Sequence, residues 1–206
     1  HMCGGVPIPV PTYQKDDFAL DVNEIENRIT SKTRMFVMVS PNNPTGAVTP
    51  PAVIRKIAEL AIKHDILVIA DEIYAKLIYP PHEHLSLATL PGMKERTITL
   101  NGFSKTYAMT GWRVGYMAAP ADFVEKLTEP RHTLSINTCT VSQFAALAAL
   151  TGPQDEMEAT FRDYAERRDY LMGALTDAGL SYGPPGGAFY IYTNISATGM
   201  KAKPFC

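Results

Sequence analysis

The architecture first becomes visible at positions 34–46, which read Arg-Met-Phe-Val-Met-Val-Ser-Pro-Asn-Asn-Pro-Thr-Gly. The run at 34–39, which is apolar after Arg34, predicts a strand. The Pro- and Asn-rich run at 40–46 predicts a turn, and Thr49 followed by two prolines predicts the capped start of a helix. Strand, turn and helix in this order are typical of a βαβ unit.

The same alternation continues toward the C-terminus. Further strands are predicted at 66–70, 97–100 and 114–118, with helical patterns between them. Alternation of this kind favours an α/β fold, a mainly parallel sheet flanked by helices. In such a sheet, ligands bind outside the carboxyl ends of the strands.

The pattern after Pro120 is mainly helical. Helices are predicted at 121–129, 141–150 and 153–178. Pro184-Pro185-Gly186-Gly187 then interrupts the chain, and the run from Ala188 to Tyr192 predicts a strand that opens a small α+β domain. We therefore expect two units, residues 3–152 with the sheet and residues 153–206 with the linking helix and the start of the small domain.

Composition limits the classes of function. Of 206 residues, 46% are hydrophobic and 19% charged, so a packed core is expected. The formal charge is −2 and the cations are scattered, which argues against a nucleic-acid partner. No apolar run approaches the roughly 20 residues that a membrane-spanning helix needs, so no membrane partner is expected.

The three cysteines, Cys3, Cys139 and Cys206, are odd in number and widely spaced, which predicts neither a disulfide framework nor a metal site. They favour a reducing, cytoplasmic location. Cys139 is interpreted as a small buried apolar residue. The leading His1-Met2 resembles a cloning remnant, because no apolar segment of a signal peptide follows it.

Polar residues follow three of the predicted strands. Asn43, Asp71 and Lys105 each come just after a different strand, so the shared edge of a parallel sheet would bring them together. In isolation, a lysine such as Lys105 is typical of a solvated surface charge. Arg113, eight residues further on, is suited to binding phosphate, and its charge would disfavour the ammonium form of a neighbouring lysine.

The other candidates also have simple structural interpretations. Asp71 is typical of a helix N-cap, although a fixed carboxylate can also keep a cofactor's ring nitrogen protonated. Tyr74 is typical of a packing residue that can turn its hydroxyl to a ligand. Asn43 precedes a proline, which favours an extended conformation and would project its amide from the turn.

Three motifs together resemble the fold type I aminotransferases of classes I and II, which depend on pyridoxal 5′-phosphate. They are Ser-Pro-Asn-Asn-Pro-Thr-Gly at 40–46, Asp-Glu-Ile-Tyr at 71–74 and Gly-Phe-Ser-Lys-Thr-Tyr-Ala-Met-Thr-Gly-Trp-Arg-Val-Gly-Tyr at 102–116. The last motif is highly specific, and Pro-Gly-Gly-Ala-Phe-Tyr at 185–190 extends the resemblance over nearly the whole chain. The resemblance implies the large domain of this fold, cut short.

The resemblance also implies roles for individual residues. Lys105 would bind the cofactor as a Schiff base and then move the α-proton of the substrate. Asp71 would pair with the pyridine nitrogen, and Tyr74 and Asn43 would bind the phenolic oxygen. The remaining role, binding the cofactor phosphate, falls to Arg113 with help from Ser104; some members have a further serine ligand where this chain has Gly102.

The resemblance implies an amino-group exchange between an α-amino acid and a 2-oxo acid, in a homodimer. It also implies a longer chain, with an N-terminal phosphate-binding segment and a C-terminal arginine for the substrate carboxylate, neither of which this sequence contains. The fragment itself is therefore expected to have doubtful activity. Two alternatives stay open: a carbon–sulfur lyase or decarboxylase on the same fold, and a non-catalytic cofactor-binding fragment.

Two further features favour simple interpretations. His82-Glu83-His84 has no third ligand at helical spacing, so it is interpreted as an exposed loop and no metal is expected. The charged segment from Arg162 to Asp169 is interpreted as a solvated helix face.

Overall fold

The computed structural model describes residues 4–205. Some residues named in the sequence predictions lie outside this range: Cys3, Cys206 and His1-Met2. No helix within residues 4–205 is both long and apolar enough to cross a lipid bilayer.

A four-stranded sheet forms the centre of the protein. Its strands are β1 (Met35–Val39), β2 (Leu67–Asp71), β3 (Thr97–Gly102) and β4 (Gly115–Ala118), in the spatial order β1-β2-β3-β4. The β1–β2 and β2–β3 pairs are parallel, and β4 pairs antiparallel with β3. The predicted α/β fold with a mainly parallel sheet is confirmed, and the four strands predicted for this sheet lie within two residues of their observed positions.

Helices surround this sheet and continue beyond it. They are α1 (Val22–Glu26), α2 (Pro51–Lys63), α3 (Ala121–Ser135), α4 (Thr140–Thr151), α5 (Asp155–Asp177) and α6 (Ala202–Phe205). A separate two-stranded sheet joins β5 (Ser181–Tyr182) to β6 (Thr193–Asn194). Three helices, α3, α4 and α5, follow the sheet as the sequence predicts, although α3 runs past Pro130 to Ser135. The short α6 was not predicted.

The main core lies between β2 and α2. Val68 and Ala70 alternate with less buried residues along β2, while Ile54, Ile57 and Ala61 form the buried face of α2. All of these side chains except Ala70 belong to one apolar cluster. Spacings of two residues on the strand and three or four on the helix match the two elements' geometry, so this packing fixes β2 on its helix.

Two local predictions about secondary structure are wrong. Thr49 does not cap α2: Pro50 occupies the N-cap position without a side-chain bond, and the Thr49 amide donates instead to Ser40 Oγ at 3.0 Å. Residues 188–192 do not form a strand, because Ala188 has a left-handed φ of 58° and turns the chain. The extended pairing starts only at β6.

Two predictions about side-chain environment are also wrong. Cys139 is exposed, because it stands at the N-terminus of α4 where the chain enters from solvent. The solvated face predicted for 162–169 holds for its other charged residues but not for Arg168, whose guanidinium lies 4.1 Å from the centre of the Tyr79 ring. A cation over a tyrosine face is an attractive arrangement, so α5 is held against the loop after β2.

Candidate active site

The carboxyl ends of the first three strands lie level with one another. Val39 pairs with Asp71 across β1 and β2, and Asp71 pairs with Leu100 across β2 and β3. The segment with Asn43 therefore leaves the same edge that carries Asp71, and the turn with Lys105 follows β3 there. The structure thus brings together the strand ends from which the predicted site residues extend.

Tyr74 is the side chain around which these residues gather. It is buried, and its hydroxyl oxygen lies 2.6 Å from that of Tyr190. Burial raises the pKa of Tyr74 well above its usual range, and the hydrogen bond and charge of Tyr190 raise it further. The Asn43 amide opposes this rise in pKa, whereas the Asp71 carboxylate adds to it. Asn43 and Asp71 therefore lie close enough to the Tyr74 hydroxyl to influence its pKa.

The amine of Lys105 faces two aromatic rings. Its Nζ lies 5.3 Å from the centre of the Phe189 ring and 5.9 Å from that of the Tyr74 ring. Across residues 4–205, no carboxylate forms an ion pair with this amine. An amine held against aromatic faces but not bound to an acid is open to react with a ligand.

Backbone hydrogen bonds to Phe103 stabilise the turn that carries Lys105. The amides of Tyr107 and Met109 donate to the Phe103 carbonyl at 3.3 and 3.2 Å, and the Phe103 amide donates to the Val114 carbonyl at 3.4 Å. Ser104 lies in this turn, half-buried. The loop between β3 and β4 is thus a closed unit with Lys105 at one side.

Arg113 lies on the outer part of the same loop. Its backbone is left-handed, with φ 50°, and its exposed guanidinium donates to the Thr110 carbonyl at 2.9 Å. The structure therefore places Arg113 in the predicted loop without a direct contact to the Lys105 amine. An exposed, locally braced guanidinium keeps donors available for a phosphate.

The segment 185–190 completes the site, and its position was not predicted. The Gly187 amide donates to the Gly46 carbonyl at 3.0 Å, and the Ala188 amide donates to the Leu77 carbonyl at 2.7 Å. These bonds hold the following residues, Phe189 and Tyr190, beside Lys105 and Tyr74. The paired prolines and glycines before Ala188 were the available signal, since they indicate a chain reversal more than a strand.

Besides the two tyrosines, a histidine and a glutamate form a polar pair near the end of β2. His84 Nε2 lies 3.0 Å from Glu72 Oε2, and both side chains are largely shielded from solvent. His82 and Glu83 are exposed as predicted, but His84 is not, so the loop interpretation holds for two of the three residues. Within residues 4–205, no group of three or more potential metal ligands comes together.

A cavity of 460 Å³ lies away from these residues, between the N-terminal segment and β1. Its walls are mainly apolar and include Val6, Ile8, Leu20 and Val37. None of the predicted site residues lines it. The chemistry-bearing residues therefore meet at the strand ends and not in this cavity.

Tyr79 joins segment 185–190 to α5 and gives a testable pH dependence. Burial raises the pKa of Tyr79 to about 12, although the Arg168 guanidinium acts in the opposite direction. In the unfolded chain the pKa of a tyrosine is about 10. Between these two pH values the unfolded chain loses a proton that the folded chain keeps, so this contribution to stability is lost as the pH rises.

We expect Tyr79→Phe to be less stable than the wild type at pH 8 by about 1 kcal/mol, because the phenol donates to the Ala188 carbonyl at 2.6 Å. The gap should narrow from pH 10 upward, since the variant has no phenol to ionise. Urea unfolding at several pH values measures this gap. Tyr170→Phe, which alters an exposed residue, is the control and should show no narrowing. If the stability difference between Tyr79→Phe and the wild type stayed constant with pH, the raised pKa of Tyr79 would be contradicted.

The donor set matches the groups of pyridoxal phosphate. Asp71 offers a carboxylate for a ring nitrogen, Tyr74 and Asn43 offer a hydroxyl and an amide for a phenolic oxygen, and Lys105 offers an amine for an aldehyde. The exposed cation of Arg113 suits a phosphate. The residues present therefore fit this cofactor.

Similar proteins support the same conclusion. The aromatic-amino-acid aminotransferase 2 of Thermococcus litoralis is 43% identical over 208 residues, covering 99% of this chain and 53% of that protein. The aspartate aminotransferase of Pyrococcus abyssi is 42% identical with the same coverage. This chain thus spans about half the length of the curated relatives it matches.

Solved structures agree in fold. The aromatic aminotransferase from Pyrococcus horikoshii superposes with a TM-score of 0.94 at 42% identity, covering 99% of this chain and 55% of that one. The aspartate aminotransferase from Thermus thermophilus with maleate has a TM-score of 0.88 at 38% identity. A family model, aminotransferase class I and II, matches residues 1–206. Since this model covers the whole sequence, the chain belongs to the class I and II aminotransferases.

Proposed function

We propose that this chain carries the cofactor-binding centre of an aminotransferase, which moves an amino group from an α-amino acid to a 2-oxo acid with pyridoxal phosphate attached to Lys105. The observation that carries the proposal is the Lys105 amine, which has aromatic rings on two sides and no acidic partner among the described residues. The names of the relatives, all aminotransferases, agree with it.

Lys105 has two tasks in this proposal. It would first hold the cofactor covalently. After an incoming amino acid takes its place, its free amine would take the proton from the substrate α-carbon and return it to the C4′ carbon of the cofactor. The Tyr74 and Phe189 rings lie beside this amine and cover part of its surface. When bound, pyridoxal phosphate supplies an electron sink for the bond that breaks at the α-carbon.

The remaining residues orient the cofactor. Asp71 ends β2, and its Oδ1 accepts a hydrogen bond from the Ile73 amide at 3.1 Å, which fixes the carboxylate for the ring nitrogen. Tyr74 and Asn43 bind the phenolic oxygen, and Arg113, with Ser104, binds the phosphate. The braced carboxylate and loop mean that these groups need little rearrangement on binding.

The residues described above bind the cofactor and are shared by enzymes for different amino acids. The relatives are named for aromatic amino acids, aspartate and arginine, although all share this part of the chain. The amino acid and 2-oxo acid class is therefore as far as the proposal goes. A homodimer and a cytoplasmic location stay predictions.

We further propose the predicted division into units at 3–152 and 153–206. It is supported by the separation of the four-stranded sheet from the β5–β6 sheet and by the long α5 between them. Segment 185–190 nevertheless packs on the loops after β1 and β2, so the second unit contributes to the site.

Borohydride trapping tests the proposed function. The chain is incubated with pyridoxal phosphate, reduced with borohydride, digested and mapped by mass spectrometry. We expect the added mass on the peptide with Lys105, because this amine lies beside the Phe189 ring and next to the proposed phosphate and phenol sites. Addition spread over exposed lysines such as Lys32 and Lys94 in proportion to their exposure would overturn the proposal.

A further inference from the structure

We propose that Tyr190 is a positioning residue, which holds the Tyr74 hydroxyl as a hydrogen-bond donor toward the phenolic oxygen of the cofactor. This inference rests on the proposed function. The observation behind it is the 2.6 Å separation of the two hydroxyl oxygens, at the floor of the site that contains Lys105.

The pair has well-defined geometry. The two rings lie edge to face, with centres 5.6 Å apart and planes at 79°. Tyr74 is only 3% exposed, and its ring is also edge to face with Phe189. A buried hydroxyl without a partner is costly, so the bond to Tyr190 is needed even before any ligand binds.

Counting hydrogens gives the direction of the bond when the site is loaded. A phenol has one hydrogen to donate and lone pairs that can accept. If Tyr74 gives its only hydrogen to the phenolic oxygen of the cofactor, its bond with Tyr190 survives only if Tyr190 donates. The two tyrosines then form a relay of donors that ends at the cofactor, and each bond polarises and strengthens the next.

The charge environment keeps Tyr74 in the form that this relay requires. Burial, Tyr190 and the Asp71 carboxylate all raise the pKa of Tyr74, against a smaller opposite effect of Asn43. The phenol therefore keeps its hydrogen at neutral pH and acts as a donor. A Tyr74 anion could only accept, and it would repel an oxygen that carries negative charge.

Tyr190 can hold Tyr74 because the backbone before it is fixed. The Tyr79 amide donates to the Gly186 carbonyl at 2.8 Å, and the Tyr79 hydroxyl donates to the Ala188 carbonyl at 2.6 Å. Together with the bonds at Gly187 and Ala188 described above, these contacts leave the ring of Tyr190 little freedom to move. Because the Tyr190 hydroxyl is carried by a rigid segment, it can fix the orientation of the Tyr74 hydroxyl.

The test compares Tyr190→Phe, Tyr74→Phe and the double variant by titration with pyridoxal phosphate, followed in the visible spectrum. We expect Tyr190→Phe to raise the Kd about 2- to 10-fold, the value of one hydrogen bond. The pH midpoint of the visible band should rise too, because less hydrogen bonding reaches the anionic phenolic oxygen. In the Tyr74→Phe background, Tyr190→Phe should change neither quantity.

Tyr192→Phe is the matched control, since Tyr192 is half exposed and packs on Phe18 away from the site. Tyr190→Phe keeps the ring that packs on Tyr74, so the fold is expected to survive. An unchanged pH midpoint in Tyr190→Phe, or equal effects of this change with and without Tyr74, would overturn the inference. Failure of the wild type to form a Lys105-dependent band is a different result, because it rejects the proposed function itself.

Discussion

Replacing Lys105 with alanine is expected to abolish covalent attachment of pyridoxal phosphate. The variant should show no visible band that borohydride fixes, and any transfer of amino groups should fall by a factor of at least about 10³, because nucleophile and proton carrier are lost together. The measurement is an absorption spectrum during titration with pyridoxal phosphate, before and after reduction, followed by mass analysis of the intact chain.

Lys76→Ala is the appropriate control for the Lys105 variant. Lys76 is exposed and lies two residues after Tyr74, so its removal tests whether any lysine near the site can bind the aldehyde. This control should keep the wild-type spectrum. An undiminished reducible band in Lys105→Ala would show that the aldehyde reacts elsewhere, and the assignment of the attachment residue would have to be abandoned.

Gly46→Ala is expected to destabilise the chain and loosen the site. Gly46 has a φ of +71°, and a Cβ built there would lie 2.5 Å from the Cβ of Pro185. The left-handed backbone costs an alanine about 1–2 kcal/mol, and the clash with a stiff proline ring adds about 1–3 kcal/mol. Urea unfolding measures the total loss, and titration with pyridoxal phosphate measures the weaker binding that follows if Phe189 and Tyr190 shift.

Gly179→Ala separates the two contributions. Gly179 also has a φ of +71°, but a Cβ there would meet no atom within 4 Å. Its loss of stability should therefore be limited to the backbone cost of about 1–2 kcal/mol, with no change in cofactor binding. Equal losses for the two glycine variants would mean that the contact between the turn after β1 and segment 185–190 contributes nothing to stability.

The sheet was predictable because its strands are short apolar runs bounded by turn residues. Residues 67–70 of β2 have no charged side chain, and the chain becomes polar at Asp71, so both the strand and its end are visible in the sequence. Asn43 and Lys105 could be placed by the same reasoning, because parallel strands end at a common edge. Local chemistry thus determines most of the frame on which the site is built.

What escaped prediction depends on contacts between distant residues. The β-prone residues 188–192 do not form a strand because Ala188 is drawn into a turn by the carbonyl of Leu77 and the hydroxyl of Tyr79. Cys139 has a buried-type side chain but sits at an exposed helix start. Tertiary contacts overrode local propensity in the first case, and position in the fold overrode residue type in the second.

The pairing of Tyr74 with Tyr190 also has a consequence for the order in which the protein acquires its shape. The two residues are 116 positions apart, so the chain must close a long loop before their hydroxyls can meet. During synthesis, the residues from β1 to β4 leave the ribosome well before Tyr190 does. Lys105 and Tyr74 are therefore synthesised before Phe189 and Tyr190, the residues that pack beside them in the folded chain.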